Sequence, residues 1–430
     1  MSVYAESLKS SGVKFATMVV AFVSNALLFR SLDSESYALF GFISAVLSWL
    51  VLANFGVGLA ARNRTTKAHY LKRHNTQLFI SHVVFSFNAL VSLFLVIALS
   101  ILYFSGALKS ILSGTVFFSS DLDLIVYVVF FIFSVGIPFR NVVNELHAQG
   151  RSASAQIVLF QSAALGLFVI YMISLFGQIP VMIYLYAIQL FSLFPFIVVY
   201  FSKNRGGKTD YNCHLKRKLK YLKILIPQSV NFLFVQILAV AVSSQFVFFA
   251  SFNLESSLLA TFLFLYQISI SLVSLYSALV VPFWSKLVKS KLSHDNSGEK
   301  ITSLKSIFHL WLLFLMVIAI FFLCLPKIDD LFLNDRMILP ENLLILLSCY
   351  VVLQTINATA SVFLNSLGQI FPQVVVGVLQ VLIFWLYVGF SPYSELDLNY
   401  LVQILSVITG FAALLLLIFC LRGRNAYSQI

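Results

Sequence analysis

The chain has 430 residues, of which 60% are hydrophobic and 10% charged, with a mean hydropathy of +0.95 and a formal net charge of +12. A soluble domain carries roughly 25% charged residues, so the composition excludes a soluble globular protein and makes the membrane span the unit of organisation. On such a chain the positive charge is a topology signal, and nucleic acid is excluded as a partner.

Ten charge-free runs of at least 15 residues follow one another: 15–29, 36–61, 74–108, 124–139, 152–202, 224–254, 256–285, 306–326, 342–394 and 398–421. A span needs about 20 apolar residues. The runs 152–202 and 342–394 are each long enough for two spans, with turn chemistry at Gly177-Gln178-Ile179-Pro180 and around Gly368-Gln369-Ile370-Phe371-Pro372, which brings the expected count to twelve. The run 74–108 is too short for two spans and a turn, and predicts one long helix. The runs 15–29 and 124–139 cross a core of about 30 Å only if their helices extend past Lys14 and Arg140. Charges at those places need a wet or protein-lined side.

With a cytoplasmic N-terminus, 24 of the 28 Lys and Arg residues fall on the cytoplasmic side, leaving Arg30, Lys109, Lys327 and Arg336 outside. The positive-inside rule therefore places both termini in the cytoplasm. The loop between residues 202 and 223, with eight Lys and Arg from Lys203 to Lys223, is a cytoplasmic anchor beside anionic membrane lipid.

An internal match at an offset of 220 residues sets Ser31 to Phe42 against Ser251 to Phe262, with Asn25 facing Gln245. It predicts two six-helix halves of like orientation, residues 1–202 and 224–430, joined by the basic linker 203–223. Small and polar residues form a stripe on the first span (Ser10, Lys14, Thr17, Ala21, Ser24 or Asn25) and on the seventh (Gln228, Asn231, Gln245). Such faces serve helix packing or line a shared cavity.

Four scattered cysteines and seven histidines show no metal-ligand spacing, so neither a metal nor another cofactor is expected. Gly207-Lys208-Thr209 lacks the first glycine and the preceding strand of a phosphate-binding loop. No loop reaches domain size, and no intramembrane carboxylate or histidine cluster suggests catalysis, which argues against an enzyme. Every Asp and Glu is expected in a loop or at a helix end, whereas Lys14, Arg30, Arg62 and Arg140 abut or enter apolar spans. The cavity should prefer anions.

Several segments, taken in order, carry a resemblance: Arg30-Ser31-Leu32 followed by Tyr37, Asn54-Phe55-Gly56-Val57-Gly58 leading to Arg62-Asn63, Glu145-Leu146-His147-Ala148-Gln149-Gly150-Arg151, Ile226-Pro227-Gln228, Val281-Pro282-Phe283-Trp284, and Asn365-Ser366-Leu367-Gly368-Gln369. Over nearly its whole length the chain resembles O-antigen flippases, the Wzx-type polysaccharide transporters of the MOP superfamily. It departs from their pattern at Asn54, where an acidic residue is common, and at Ser285, where a second proline is common. The resemblance implies an all-α integral membrane protein with the MATE-like MOP transporter fold, sitting in a bacterial inner membrane. It implies a flippase that moves undecaprenyl-pyrophosphate-linked oligosaccharide from the cytoplasmic to the periplasmic leaflet by alternating access, beside a polysaccharide polymerase and a chain-length regulator. Lys14, Arg62 and Arg140 would then hold the pyrophosphate with Arg30 nearer the exit, and Asn25, Asn54, Gln228, Asn231 and Gln245 would contact sugar. The alternatives are a membrane-embedded glycan polymerase and a related drug or metabolite exporter.

Overall fold

The computed structural model describes residues 3–50, 52, 56–112, 122–177, 179–204, 215–292, 297–330, 337, 339, 342–367, 369, 371–390 and 398–427. Among the described residues there is no strand. The helices are α1 (Val3–Ser31), α2 (Ser34–Leu50), α3 (Val57–Tyr70), α4 (His74–Phe104), α5 (Ala107–Leu112), α6 (Leu122–Arg140), α7 (Val142–Ala148), α8 (Ser152–Ser174), α9 (Val181–Asn204), α10 (Leu215–Asn253), α11 (Ser256–Leu292), α12 (Ser297–Ile328), α13 (Leu343–Leu367), α14 (Phe371–Phe390) and α15 (Leu398–Tyr427). Eleven helical stretches among the described residues are long and apolar enough to cross a membrane, and the chain is a multi-pass membrane protein.

The two long runs break where the turn chemistry stands, between α8 and α9 and between α13 and α14, and the run 74–108 forms the single helix α4. The apolar run 36–61 departs from expectation. Its described residues form α2 over Ser34–Leu50 and α3 from Val57, with Gly56 before α3 at a φ of 69°, the left-handed conformation that glycine tolerates best. The 17 described residues of α2 rise about 26 Å. The basic segment read as loop is also partly helical, because Leu215–Lys223 forms the first turns of α10. Its apolar side docks on α3 and α4: Leu225 is buried with Val57, Ala60, Ala61, Ile80 and Val84, and the Tyr221 ring meets that of Phe79 edge-on at 5.4 Å. The cations lie along the rim, Arg217 over Phe79 at 5.0 Å and Arg64 over Tyr221 at 5.8 Å, as long basic side chains do when their stems cover apolar surface.

The chain divides into two compact units, Met1–Val240 and Ala241–Ile430. In the first, α1 packs on α8, α2 and α4 on α6, and α6 and α8 on α9. In the second, α11 and α12 pack on α13, α13 and α14 on α15, and Phe246 and Phe249 of α10 meet Phe384 of α14 at 4.7 and 5.6 Å. With α1, α2, α4, α6, α8 and α9 as spans one to six and α10 to α15 as seven to twelve, the same five pairings occur in each unit. Each unit thus repeats one six-helix packing scheme, as two tandem halves require.

The backbone bonds at the two turns suggest a register other than that of the sequence match. Leu32 N–H donates to Leu28 O and Tyr37 N–H to Asp33 O; in the second unit Leu254 N–H donates to Ala250 O and Leu259 N–H to Glu255 O. These bonds match at an offset of 222, which pairs Leu32 with Leu254, Ser34 with Ser256 and Phe40 with Phe262. At that offset Asn25 corresponds to Val247 and Gln245 to Val23, not to each other. In sequences so rich in Leu, Phe and Ser, chance identities arise readily at a two-residue slip.

Within a bilayer, buried polar groups must find partners inside the protein. In the second unit Tyr266 Oη donates to Ser243 O at 2.7 Å, Trp311 Nε1 donates to Thr355 Oγ1 at 3.0 Å, and the Tyr276 hydroxyl lies 2.7 Å from Thr359 Oγ1. Thr359 also donates to its own helix at Thr355 O, so Tyr276→Phe orphans no donor. The expected cost is about 0.6 kcal/mol, the average for an interhelical bond in a membrane protein, read as a small drop in the thermal midpoint of the purified protein in detergent. A loss several times larger would show that this pair alone carries the contact of α11 with α13.

Candidate functional site

The site lies in the first unit and begins with α4, which is two-faced in the sense opposite to a soluble helix. Leu90, Leu93, Phe94, Ile97 and Ile101 point outward, and Gln77, Ser81, Val84, Asn88 and Ser92 point inward at spacings of three and four. Ser92 answers a need created by Pro138 of α6. A proline has no N–H, so Ser134 O loses its intrahelical donor, and Ser92 Oγ supplies one at 2.7 Å. This bond fixes α4 beside the last turn of α6, where Phe133, Ile137 and Arg140 share a face.

That face opens on a cavity of about 620 Å³, within the range of small-molecule sites. Arg140, Asn141 and Asn144 line it from α6, the junction and α7; Asn88 from α4; and Gln189, Ser192 and Gln236 from α9 and α10. Ser44, Ser48 and Ser162 add hydroxyls, although Ser44 and Ser48 donate back to carbonyls of α2 and Ser162 donates to Ser192 O at 2.7 Å. The Arg140 guanidinium carbon lies 4.0 Å from the centroid of the Phe133 ring, a cation–π contact that holds the charge inside an apolar wall. Three buried polar atoms of the lining have no hydrogen-bond partner: Arg140 Nε, Asn88 Oδ1 and Gln236 Oε1. Among the described residues no Asp or Glu lines the cavity. It offers a cation, amides and hydroxyls, the donor set for an anion joined to a hydroxyl-rich group.

One carboxylate stands behind this wall, at a helix end as expected but buried there. Glu145 is 7% exposed in the first turn of α7, accepting from Ser81 Oγ at 2.5 Å and Asn141 Nδ2 at 3.3 Å. Polar neighbours on α4 and at the helix junction make its burial tolerable. Beside it is a second void of about 10 Å³, room for one water, lined by Gly58, Arg62, Thr65, Ser81 and Glu145 together with Asn141 and Asn144.

Of the cations singled out in the sequence, Arg140 lines the large cavity and Arg62 the small one, on either side of Asn141 and Asn144. Lys14 and Asn25 are half-buried on α1 and Arg30 is exposed at its end, and none of the three lines either cavity. Thr17 and Ser24 of the α1 stripe donate to Val13 O and Val20 O of their own helix. Gln245, in the second unit, is 4% exposed with neither amide atom hydrogen-bonded. Asn54 and the side chains of Gln228 and Asn231 lie outside the described residues. Sequence reading missed Asn88, Asn141, Asn144, Gln189 and Gln236. The signal was there for Asn88, Gln189 and Gln236, amides in the middle of charge-free runs.

No protein-family model and no curated protein sequence matches the chain. Solved structures do. A multidrug resistance MATE family transporter of the MOP superfamily in its inward-facing conformation has a TM-score of 0.69 at 15% identity, covering 97% of this chain and 98% of its own. MATE in complex with MaL6 has a TM-score of 0.67 at 15% identity, over 100% and 97% of the two chains. A MOP superfamily transporter from Pyrococcus furiosus, for which reverse polarity of the binding pocket suggests a different function, has a TM-score of 0.64 at 15% identity, over 100% and 96%. The chain thus has the MATE-like fold of the MOP superfamily.

Proposed function

We propose that the protein is a transporter, not an enzyme, and that it flips undecaprenyl-pyrophosphate-linked oligosaccharide from the cytoplasmic to the periplasmic leaflet of a bacterial inner membrane by alternating access of its two six-helix halves, with both termini cytoplasmic. The observation that carries this reading is the first unit's cavity, where Arg140 faces amides and hydroxyls and the described lining holds no carboxylate. A pyrophosphate is matched by a guanidinium in a low-dielectric wall, and sugar hydroxyls by amides. The likeness to the Pyrococcus furiosus protein, with its reverse pocket polarity, supports a function on this fold other than multidrug resistance. The MATE neighbours favour a second reading, a drug or metabolite exporter, for which Glu145 would be the cation-binding group. Against it, Glu145 sits behind the wall and already accepts from Ser81 and Asn141.

Deletion of the gene in its host, followed by leaflet-selective labelling of the lipid-linked glycan, tests the proposal. Single repeat units should accumulate on the cytoplasmic face. Single units that reach the periplasmic face unpolymerised would point to a polymerase, and unaltered surface glycan to the exporter.

A further inference from the structure

The hydrogen bonds around Glu145 run in one direction. A carboxylate oxygen accepts, and Ser81 Oγ donates to Glu145 Oε1 at 2.5 Å. Asn141 Nδ2 donates to the same oxygen, Glu145 Oε1, at 3.3 Å. With its nitrogen so committed, Asn141 turns Oδ1 the other way, where it accepts from Asn144 Nδ2 at 3.4 Å. Asn144 spends one of its two N–H donors on that bond, which turns its amide so that Oδ1 is left as an acceptor for a ligand. Ser81, Asn141 and Glu145 are each buried, so bulk water does not compete for the Asn141 amide; Asn144 is half-buried, and it and Asn141 are shared by the walls of both voids. The backbone of α3 closes the far side at Gly58, where an added Cβ would lie 2.7 Å from Asn141 Oδ1 and 2.8 Å from Asn144 Nδ2.

We propose that Glu145 is a positioning residue that sets the ligand selectivity of the cavity without touching the ligand. Through Asn141 it fixes the amide of Asn144 so that the wall beside Arg140 pairs a cationic donor with a carbonyl acceptor. That pattern fits a phosphate followed at once by a hydroxyl-bearing sugar: the guanidinium takes the phosphate and Asn144 Oδ1 accepts from a sugar hydroxyl. The inference rests on the proposed cargo and assigns the discrimination between its two chemical parts to different residues.

The test uses the full chain in detergent with two probes, undecaprenyl pyrophosphate and undecaprenyl-pyrophosphate-linked N-acetylglucosamine. Glu145→Gln keeps the size of the side chain but supplies a group that donates as well as accepts, so the direction of the relay is lost. Affinity for the sugar-free probe should stay within about twofold, while that for the sugar-bearing probe falls about tenfold, the scale of one hydrogen bond. Glu145→Asp, which still only accepts, should keep the ratio of the two affinities closer to that of the wild type. An unchanged ratio in Glu145→Gln, or an equal fall for both probes, overturns the proposal. If Glu145→Gln does not fold, Asn141→Ala cuts the relay at its next link and must change the ratio in the same way. Wild-type protein that binds neither probe overturns the flippase reading itself. The relay is then judged separately from the side-chain amide signals of Asn141 in ¹⁵N-asparagine-labelled protein: they should move in Glu145→Gln, and unmoved signals overturn it.

Discussion

Arg140→Gln should lower the affinity of the purified protein for undecaprenyl pyrophosphate roughly 10- to 100-fold and abolish surface glycan when it replaces the wild-type gene. The magnitude follows from the chemistry lost. Hydrogen bonds to charged groups contribute about 1.5–3 kcal/mol each, and about 1.4 kcal/mol is a factor of ten in affinity. Arg140 is placed for this role: its guanidinium lies over Phe133 at 4.0 Å, and its buried Nε has no partner in the unliganded protein. An orphan donor on a held cation is a standing deficit that an anion removes, so the interaction should be stronger than at a solvated surface arginine. Arg140→Lys should fall between, because an ammonium keeps the charge but neither stacks on Phe133 nor offers a planar fork to two phosphate oxygens. Binding by Arg140→Gln as tight as wild type would remove the observation on which the functional reading stands.

Arg140 also shows what the sequence reveals about the site and where it stops. A charge that cuts an apolar run short must find water or protein, and that argument selected Lys14 and Arg140 alike. Only Arg140 lines the large cavity. The difference comes from tertiary structure: Pro138 frees the Ser134 carbonyl, Ser92 of α4 takes it, and the last turn of α6 is thereby held against a helix that contributes Asn88. Lys14 has no such arrangement on α1, and the same local pattern there fits a side chain that snorkels. The span count and the turn positions were readable because hydropathy and Gly/Pro punctuation are one-dimensional signals. The left-handed turn at Gly56 before α3 was not, since residues 36–61 carry no charge to mark it and Gly56 is one glycine among 18 in the chain.

The repeat illustrates the same boundary. A short match suggested two halves, and the backbone bonds that close the turns at Leu32 and Leu254 suggest another register for it. The two-residue slip matters for function. It had made Asn25 and Gln245 equivalent cavity residues, whereas the register of the backbone bonds pairs each of them with a valine. Glu145 stood in the sequence only as part of a motif, and its burial comes from tertiary structure, with α3 packed on α7 and Ser81 of α4 bonded to it.

Gly58→Val should destabilise the protein by roughly 2–4 kcal/mol and remove the selectivity for the sugar-bearing probe. Two effects oppose each other at this position. Gly58 lies within α3, where a glycine costs about 0.5–1 kcal/mol relative to alanine, so a side chain there would by itself favour the helix. Against that, even a Cβ meets Asn141 Oδ1 at 2.7 Å and Asn144 Nδ2 at 2.8 Å, closer than real Cβ contacts come. The ends of two amides would be cheap to move on a surface, but Asn141 is buried and bonded both to Glu145 and to Asn144. Shifting them breaks that chain at its centre, leaving buried donors unpaired at about 1–3 kcal/mol, to which overpacking adds a similar amount. The steric loss exceeds the gain in helix propensity. Gly58→Ala should show the same sign with a smaller size, and thermal unfolding in detergent decides between them: a variant more stable than wild type would mean that α3 does not press on the amides. Because Gly58→Ala and Glu145→Gln disturb the same two side chains, their effects on the ratio of probe affinities should not add in the double variant. Full additivity would show that the two residues act on separate parts of the cavity wall.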